Sequence, residues 1–310
     1  MAHDIEEEGR SMPTRPIRQV PGVYHRRVGD IVVTVLNDGF QDAPMTSVVN
    51  IPQDEAVAMM RAAFRPVPRR TAVQAFLIHS ADRLALVDAG CGPAKPTVGK
   101  LPANLAAAGI RPEEIDTVLM THLHPDHFGG LRDATGAAAF PRAELHIAAE
   151  EYDYWHSDEA AAAETDKARR KSFFGGARAS LAAYEGRIRT FSGEAEVFPG
   201  VTSLPLPGHT PGHSGYMVES AGERLLIWGD IIHVPEVQVP RPEACMAVDV
   251  LPTLGIETRR AIFERAARER LTVAGMHLHF PALANLRQEG DSFLLLPEAW
   301  SSADLADGAT

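Results

Sequence analysis

The chain has 310 residues, 45% of them hydrophobic, with 41 acids against 30 bases and a formal charge of -11. This composition supports a full core and excludes a disordered chain, while the acidic balance repels nucleic-acid backbones and anionic membranes. No apolar run reaches the roughly 20 residues of a membrane span, and the polar, acidic start does not read as a secretory signal; a cytoplasmic protein acting on a small neutral or apolar molecule is expected.

Residues 1–20 read as a flexible lead, because Pro13 and Pro16 break any periodicity before Pro21; 21–310 reads as a single domain. "DIVVTVLNDGF" alternates as a strand and is expected to end in a turn at Asn37 to Gly39. "AVQAFLIHS" and "RLALVDAG" form a hairpin, "TVGKLPANLAAAGI" has helical spacing, and "EEIDTVLMTH" is a buried strand. "AELHIAAEEYDYW" reads as strand then helix, and "TDKARRKSFFGGARASLAAYE" as a helix interrupted at Gly175 and Gly176. Its basic cluster from Lys167 to Lys171 reads as a solvated face. In the second half "VTSLPLPGH" is a strand, "GYMVESAGERLLIWGD" a hairpin turning at Ala221-Gly222, and "LTVAGMH" a last buried strand. Between these, "IETRRAIFERAARER" places Ile262, Phe263, Ala266 and Ala267 on one helical face. Two mixed sheets with helices outside account for the order. Cys91 and Cys245 lack the spacing of a redox or zinc pair and read as small buried hydrophobes.

The chemistry concentrates where buried strands end, the usual place for site residues in an α/β scaffold. Most of the thirteen histidines fall into four segments: "THLHPDH", "PGHTPGHS", "GDIIH" and "GMHLH". His122 and His124, two apart, are expected to point to one side of a strand end. Asp126 and His127, past Pro125, face a second position. One catalytic zinc takes about three protein ligands, so these four residues suit two ions rather than one. His209 follows a strand directly and reads as a ligand, His213 as a residue that fixes its loop. Asp230 ends an apolar strand, where an unpaired carboxylate is costly. His277 and His279 both remain candidates on spacing alone.

"THLHPDH", "PGHTPGHS", "GD" and a late histidine, in this order, resemble the metallo-β-lactamase superfamily. The resemblance runs from "LNDGF" through "LVDAG" to "GMHLHFPAL", nearly the whole chain. It implies an α/β fold, the αβ/βα four-layer sandwich, with two divalent ions in the cleft between its halves. By position His122, His124 and His209 would hold one ion; Asp126, His127 and His277 the other, with Asp230 bridging. His277 rather than His279 matches the family's HxxFPG-like segment, where Ala282 replaces the glycine. Zinc is the expected metal, and an N/O donor set also accepts manganese, cobalt or iron. The segments around "KSFFGGA" and "LGIETRRAIF" are similar to the methyl parathion hydrolase and lactonase-like branch, which implies a homodimer and a substrate wall of Trp155, Phe173 and Phe174.

The resemblance thus implies opening of lactones or hydrolysis of aryl esters by a hydroxide shared between the ions. Asp126 or His233 would deliver a proton to the leaving group, and His233, three residues after Asp230, would reach the substrate carbonyl. Methyl-parathion-type phosphotriester hydrolysis and β-lactamase-like amide hydrolysis are the alternatives.

Overall fold

Residues 15–17 and 19–302 are described by the computed structural model; most of the expected lead at 1–20 lies outside them. Alternation along two long strands sets the layers. In Ile31–Ala43, Val33 and Val35 face one core while Leu36 faces another; in Arg69–Ser80, Phe76 and Ile78 divide from Ala75 and Leu77 in the same way. Residues two apart on a strand share a face, so a strand apolar at nearly every position is buried on both sides.

The first sheet has seven strands lying side by side in chain order: Val23–Val28, Ile31–Ala43, Arg69–Ser80, Arg83–Val87, Thr117–Leu119, Glu144–Ala148 and Ile188–Phe191. Neighbours are antiparallel as far as Arg83–Val87 and parallel beyond it. The second sheet runs in space from Ser292–Pro297 through Leu283–Glu289, Thr272–Ala274, Glu223–Ile227, Ser214–Ser220 and Val201–Pro205 to Glu196–Phe198. Its one parallel pair joins Glu223–Ile227 to Thr272–Ala274.

Between the sheets Val33, Val35, Phe76 and Ile78 meet Tyr216, Val218 and Leu225. On the outer face of the first sheet Leu77, Leu86, Val118 and Leu145 are covered by Leu105, Trp155 and Leu181 from helices. The long helix Pro252–Glu269 buries Ile262, Phe263 and Ala266, with Phe263 5.8 Å from Trp228 between ring centres. Each fully buried Leu, Ile or Phe contributes about 2 kcal/mol. The layers are therefore helix, sheet, sheet, helix, and the strand ends open along one rim.

Three local expectations are corrected. The strand from Ile31 does not end at Asn37–Gly39 but bulges there and continues to Ala43. The bulge persists because the buried Asp38 carboxylate accepts bonds from the amides of Cys91 and Leu101, both at 2.8 Å. Gly175 and Gly176 do not interrupt their helix: a π turn over Lys171–Gly175 carries it into Gly176–Ala182. The third concerns His277 and His279. The last inner strand stops at Ala274, and a turn with Leu278 N–H donating to the Gly275 carbonyl at 3.2 Å follows, so these histidines do not share a side. Among the described residues no helix is long and apolar enough to cross a membrane.

Candidate metal centre

Four chain segments converge on one carboxylate. His124 caps a short helix, Pro125–Phe128, whose first-turn Pro125 turns the chain and frees Asp126 from capping. Asp230 sits after a strand, held by its own amide, which donates to His213 Nε2 at 2.8 Å. His213 Nδ1 in turn donates to the Leu206 carbonyl, also at 2.8 Å; burial lowers its pKa to about 3, so the ring stays neutral in this tautomer. Gly229 must precede Asp230 because its φ is +60° and a Cβ there would lie 2.3 Å from His213 Nε2.

Asp230 Oδ2 lies 3.1 Å from His277 Nε2, 3.3 Å from His127 Nε2, 3.5 Å from His209 Nε2 and 3.7 Å from His122 Nε2. It is also 3.0 Å from His233 Nε2. His124 Nδ1 stands 2.9 Å from His209 Nε2. Asp126 reaches His277 Nε2 at 3.6 Å and His127 Nε2 at 3.8 Å. The donor atoms form overlapping sets, each within 4.8 Å: His122, His124, His209; His122, His127, Asp230; Asp126, His127, His277; and His209, Asp230, His233. The structure thus brings all seven expected ligands together. His279 goes elsewhere, 2.6 Å from Glu236 near the surface.

The donor set fits two divalent cations. His122 Nε2, His127 Nε2 and Asp230 Oδ1 are buried with no hydrogen-bond partner, a state that is rare unless something else satisfies them. The far nitrogens of four rings are held. His127 Nδ1 is 2.7 Å from Asp88, His209 Nδ1 2.6 Å from Asp249, His277 Nδ1 2.8 Å from the Ala72 carbonyl, and His122 Nδ1 3.0 Å from Thr121 Oγ1. Such outer partners set the tautomer that leaves a lone pair for a metal.

The charges agree. Burial holds His122 and His124 well below the usual imidazole range, so both are neutral donors. Burial also opposes a proton on His127 and His277, but the Asp230 charge, with Asp88 and Asp126 for His127 and Asp126 for His277, outweighs it and raises both. A carboxylate field that retains protons on two buried rings would retain cations there instead.

Asp88, Asp249 and Glu151 escaped the sequence reading. Glu151 is fully buried. Its Oε1 accepts from Leu123 N at 2.8 Å and Trp155 Nε1 at 2.7 Å; its Oε2 accepts from Thr210 Oγ1 at 2.6 Å and Gly212 N at 3.0 Å. One carboxylate therefore ties the loop of His122 and His124 to the loop of His209. Gly212 permits this approach, since a Cβ there would lie 2.1 Å from the Glu151 nitrogen. Burial raises the Glu151 pKa despite these donors. A signal existed: Glu151 and Trp155, four apart, share one helical face, and a carboxylate on an apolar face needs a partner.

The expected aromatic wall divides. Phe173 lines a cavity of about 670 Å³ together with His124, Asp126, Asp230, His233 and His277, its ring 5.0 Å from that of His124. Trp155 and Phe174 are 2% and 5% exposed; they border a separate space of about 210 Å³, which Phe173 also touches.

Replacing Asp249 by Asn keeps the fold and weakens metal binding about 10- to 100-fold, because the amide offers one neutral acceptor oxygen where the carboxylate serves both His209 Nδ1 and the Met246 amide; a competition titration with a chromogenic chelator measures this.

Residues 68–262 match the metallo-β-lactamase superfamily, and the chain belongs to it. A crystal structure of AbOPH, a hydrolase of the β-lactamase superfamily, superposes with a TM-score of 0.86 at 30% identity, covering 92% of this chain and 100% of that one. AidC, a dizinc quorum-quenching lactonase in complex with the product N-hexanoyl-L-homoserine, gives 0.84 at 22% identity over 91% and 99%, a likeness of fold. A probable metallo-hydrolase of Mycobacterium tuberculosis is 27% identical over 51% of this chain and 56% of its own length. The chain thus spans little more than half the length of that curated relative. The fold is the metallo-β-lactamase sandwich, and the chain is a member of that superfamily.

Proposed function

We propose that the protein opens lactones or hydrolyses aryl esters with a pair of divalent ions. The observation that carries this reading is the pair of donor sets sharing Asp230 at the base of an open cavity of about 670 Å³. The dizinc lactonase AidC of the same fold, and the 28% identity to an N-acyl homoserine lactonase of a Bacillus species over 37% of this chain and 38% of that one, support the lactone side. Held ions lower the pKa of water and polarise a carbonyl oxygen. His122, His124 and His209 would hold one, and Asp126, His127 and His277 the other, with Asp230 between them.

The chain's own residues divide the remaining work. Asp126 is the least buried of the acids at the centre, its side chain 24% exposed, and it can pass a proton toward a departing alkoxide. His233 has its Nε2 on Asp230 and a buried Nδ1 without a hydrogen-bond partner. Burial brings its pKa down to about 4, so near neutral pH it is an uncharged ring that donates or accepts one hydrogen bond. It borders the cavity; with Nε2–H donating to Asp230, its Nδ1 would accept a hydrogen bond or a proton, while Phe173 would limit the width of the acyl or aryl group.

Purified protein is expected to contain two equivalents of metal and to hydrolyse lactones and aryl esters at rates that vanish with a chelator and return with zinc or manganese. Replacing His233 by Phe lowers these rates about 10- to 100-fold with the metal content unchanged, and leaves phosphotriester turnover equal or faster. Turnover of phosphotriesters alone by the unmodified enzyme would overturn the proposal.

A further inference from the structure

The metal cavity has a second wall, built by the ends of Ile31–Ala43 and Arg69–Ser80. The two strands pair Gln41 with Thr71, Asp42 with Arg70 and Ala43 with Arg69. Alternation turns Asp42 and Arg70 outward, where they form an exposed two-bond ion pair at 2.9 and 3.2 Å. Gln41, Ala43, Arg69 and Thr71 line the cavity, and Asp42, neutralised by Arg70, borders it as well.

Arg69 is unusual there. It is 7% exposed, bonds the hydroxyls of Thr71 and Ser47, and leaves Nε buried without a partner. Among the described residues no carboxylate lies within ion-pair distance of it. A guanidinium keeps its charge in proteins, and a buried charge is expensive unless an anion meets it. Several other arginines find carboxylates, Arg83 at Asp116, Arg178 at Asp158 and Arg224 at Glu269, and the buried Arg259 is met instead by the carbonyls of Ile231, Pro242 and Ala244; Arg69 has hydroxyls alone. Lys95 and Arg132 border the same cavity. Among the described residues Lys95 donates to the neutral Gln41 amide at 3.3 Å, with the Asp42 charge nearby, and the buried Nε of Arg132 has no hydrogen-bond partner. Three cations, Arg69, Lys95 and Arg132, thus line the cavity beside the carboxylates of Asp42, Asp126 and Asp230, at a site that would hold two more cations.

We propose that this wall is an anion subsite and that the substrate carries a carboxylate apart from its scissile carbonyl, anchored by Arg69. This rests on the ester and lactone reading above, and it replaces the expectation of a neutral substrate. A guanidinium that lines the cavity and has only hydroxyls as hydrogen-bond partners suits a planar carboxylate through its terminal nitrogens, and the ions with Lys95 and Arg132 draw an anion in.

The test uses metal-loaded enzyme and two esters of equal length, 4-nitrophenyl hydrogen glutarate and 4-nitrophenyl pentanoate. Wild type is expected to favour the anionic ester about 30-fold in kcat/KM. Arg69→Gln brings the two within about threefold through a raised KM for the anionic ester, and Arg69→Lys falls between. Calorimetric titration of wild type with glutarate, and its weakening about tenfold or more in Arg69→Gln, supplies a readout independent of turnover. If neither ester is cleaved, the hydrolytic reading fails while the glutarate titration still decides the subsite. The subsite is overturned if wild type prefers the neutral ester, if Arg69→Gln slows both esters equally, if glutarate binds both proteins alike, or if inorganic phosphate displaces glutarate as the tighter Arg69-dependent ligand. Should Arg69→Gln not fold, Arg69→Lys carries the same comparison.

Discussion

Alanine in place of Asp230 abolishes hydrolysis, at least about 10³-fold in kcat, and reduces the metal content from two equivalents to one or none. Its Oδ2 lies within 3.7 Å of five imidazole nitrogens, and its Oδ1 has no partner in the protein. Among the described residues no other carboxylate touches both sets of donors: of the histidines, Asp126 reaches His127 and His277. Burial alone would raise the Asp230 pKa, but the surrounding histidines, His127 first, pull it well down. The metal-free variant therefore also loses stability, about 3–5 kcal/mol, because buried cationic rings lose their anion. Elemental analysis, initial rates and denaturant melts of the metal-free proteins check the three parts. Asp230→Asn separates them: it keeps the shape and one acceptor, so it folds better than the alanine variant yet still fails to hold both ions. Full activity with two ions in Asp230→Ala would refute the shared-carboxylate reading.

Removal of the Glu151 carboxylate is expected to disable the centre without touching a ligand. Glu151→Ala strands two buried amides, an indole N–H and a hydroxyl. Each buried donor left unsatisfied costs about 1–3 kcal/mol, and a cavity adds to this, so a loss of about 4 kcal/mol or more follows. Leu123 lies between His122 and His124, and Thr210 follows His209, so both ligand loops are released together. Metal affinity at that ion falls by about 100-fold or more. Glu151→Gln tests the cause. Its oxygen can serve Leu123 and Trp155 and its NH2 can donate to a rotated Thr210 hydroxyl, but that NH2 opposes the Gly212 N–H. The glutamine variant should recover most of the stability and only part of the metal affinity. A merely structural glutamate would show both recovering in step.

The ligand loops were legible because each is local: "THLHPDH" and "PGHTPGHS" place their ligands within six residues, at the ends of recognisable strands. The groups that hold those ligands were not. Asp88 meets His127 across 39 positions, Asp249 meets His209 across 40, and Glu151 meets Thr210 across 59. Asp88 stood inside the "LVDAG" segment of the family resemblance without a role, and Asp249 lies in a segment with no motif. His277 and His279 are equivalent by spacing in a strand, yet the chain turns after Ala274 and sends one to Asp230 and the other to Glu236. Arg69 sits two positions before Thr71 in an unremarkable strand start; only the folded chain shows that, among the described residues, no carboxylate forms an ion pair with it and Asp126 acts on it from across the cavity.

The amino-acid sequence by itself determined which potential donors stand close together along the chain, since donor type and short spacing constrain a coordination site before any fold exists. It also determined the layers, through strands apolar at nearly every position and a helix with one apolar face. Tertiary structure decided which histidine of a pair joins, which carboxylates orient the ligands, and what charge surrounds the substrate. These depend on contacts between segments far apart in the chain, where desolvation and partner geometry, not local pattern, set the energy.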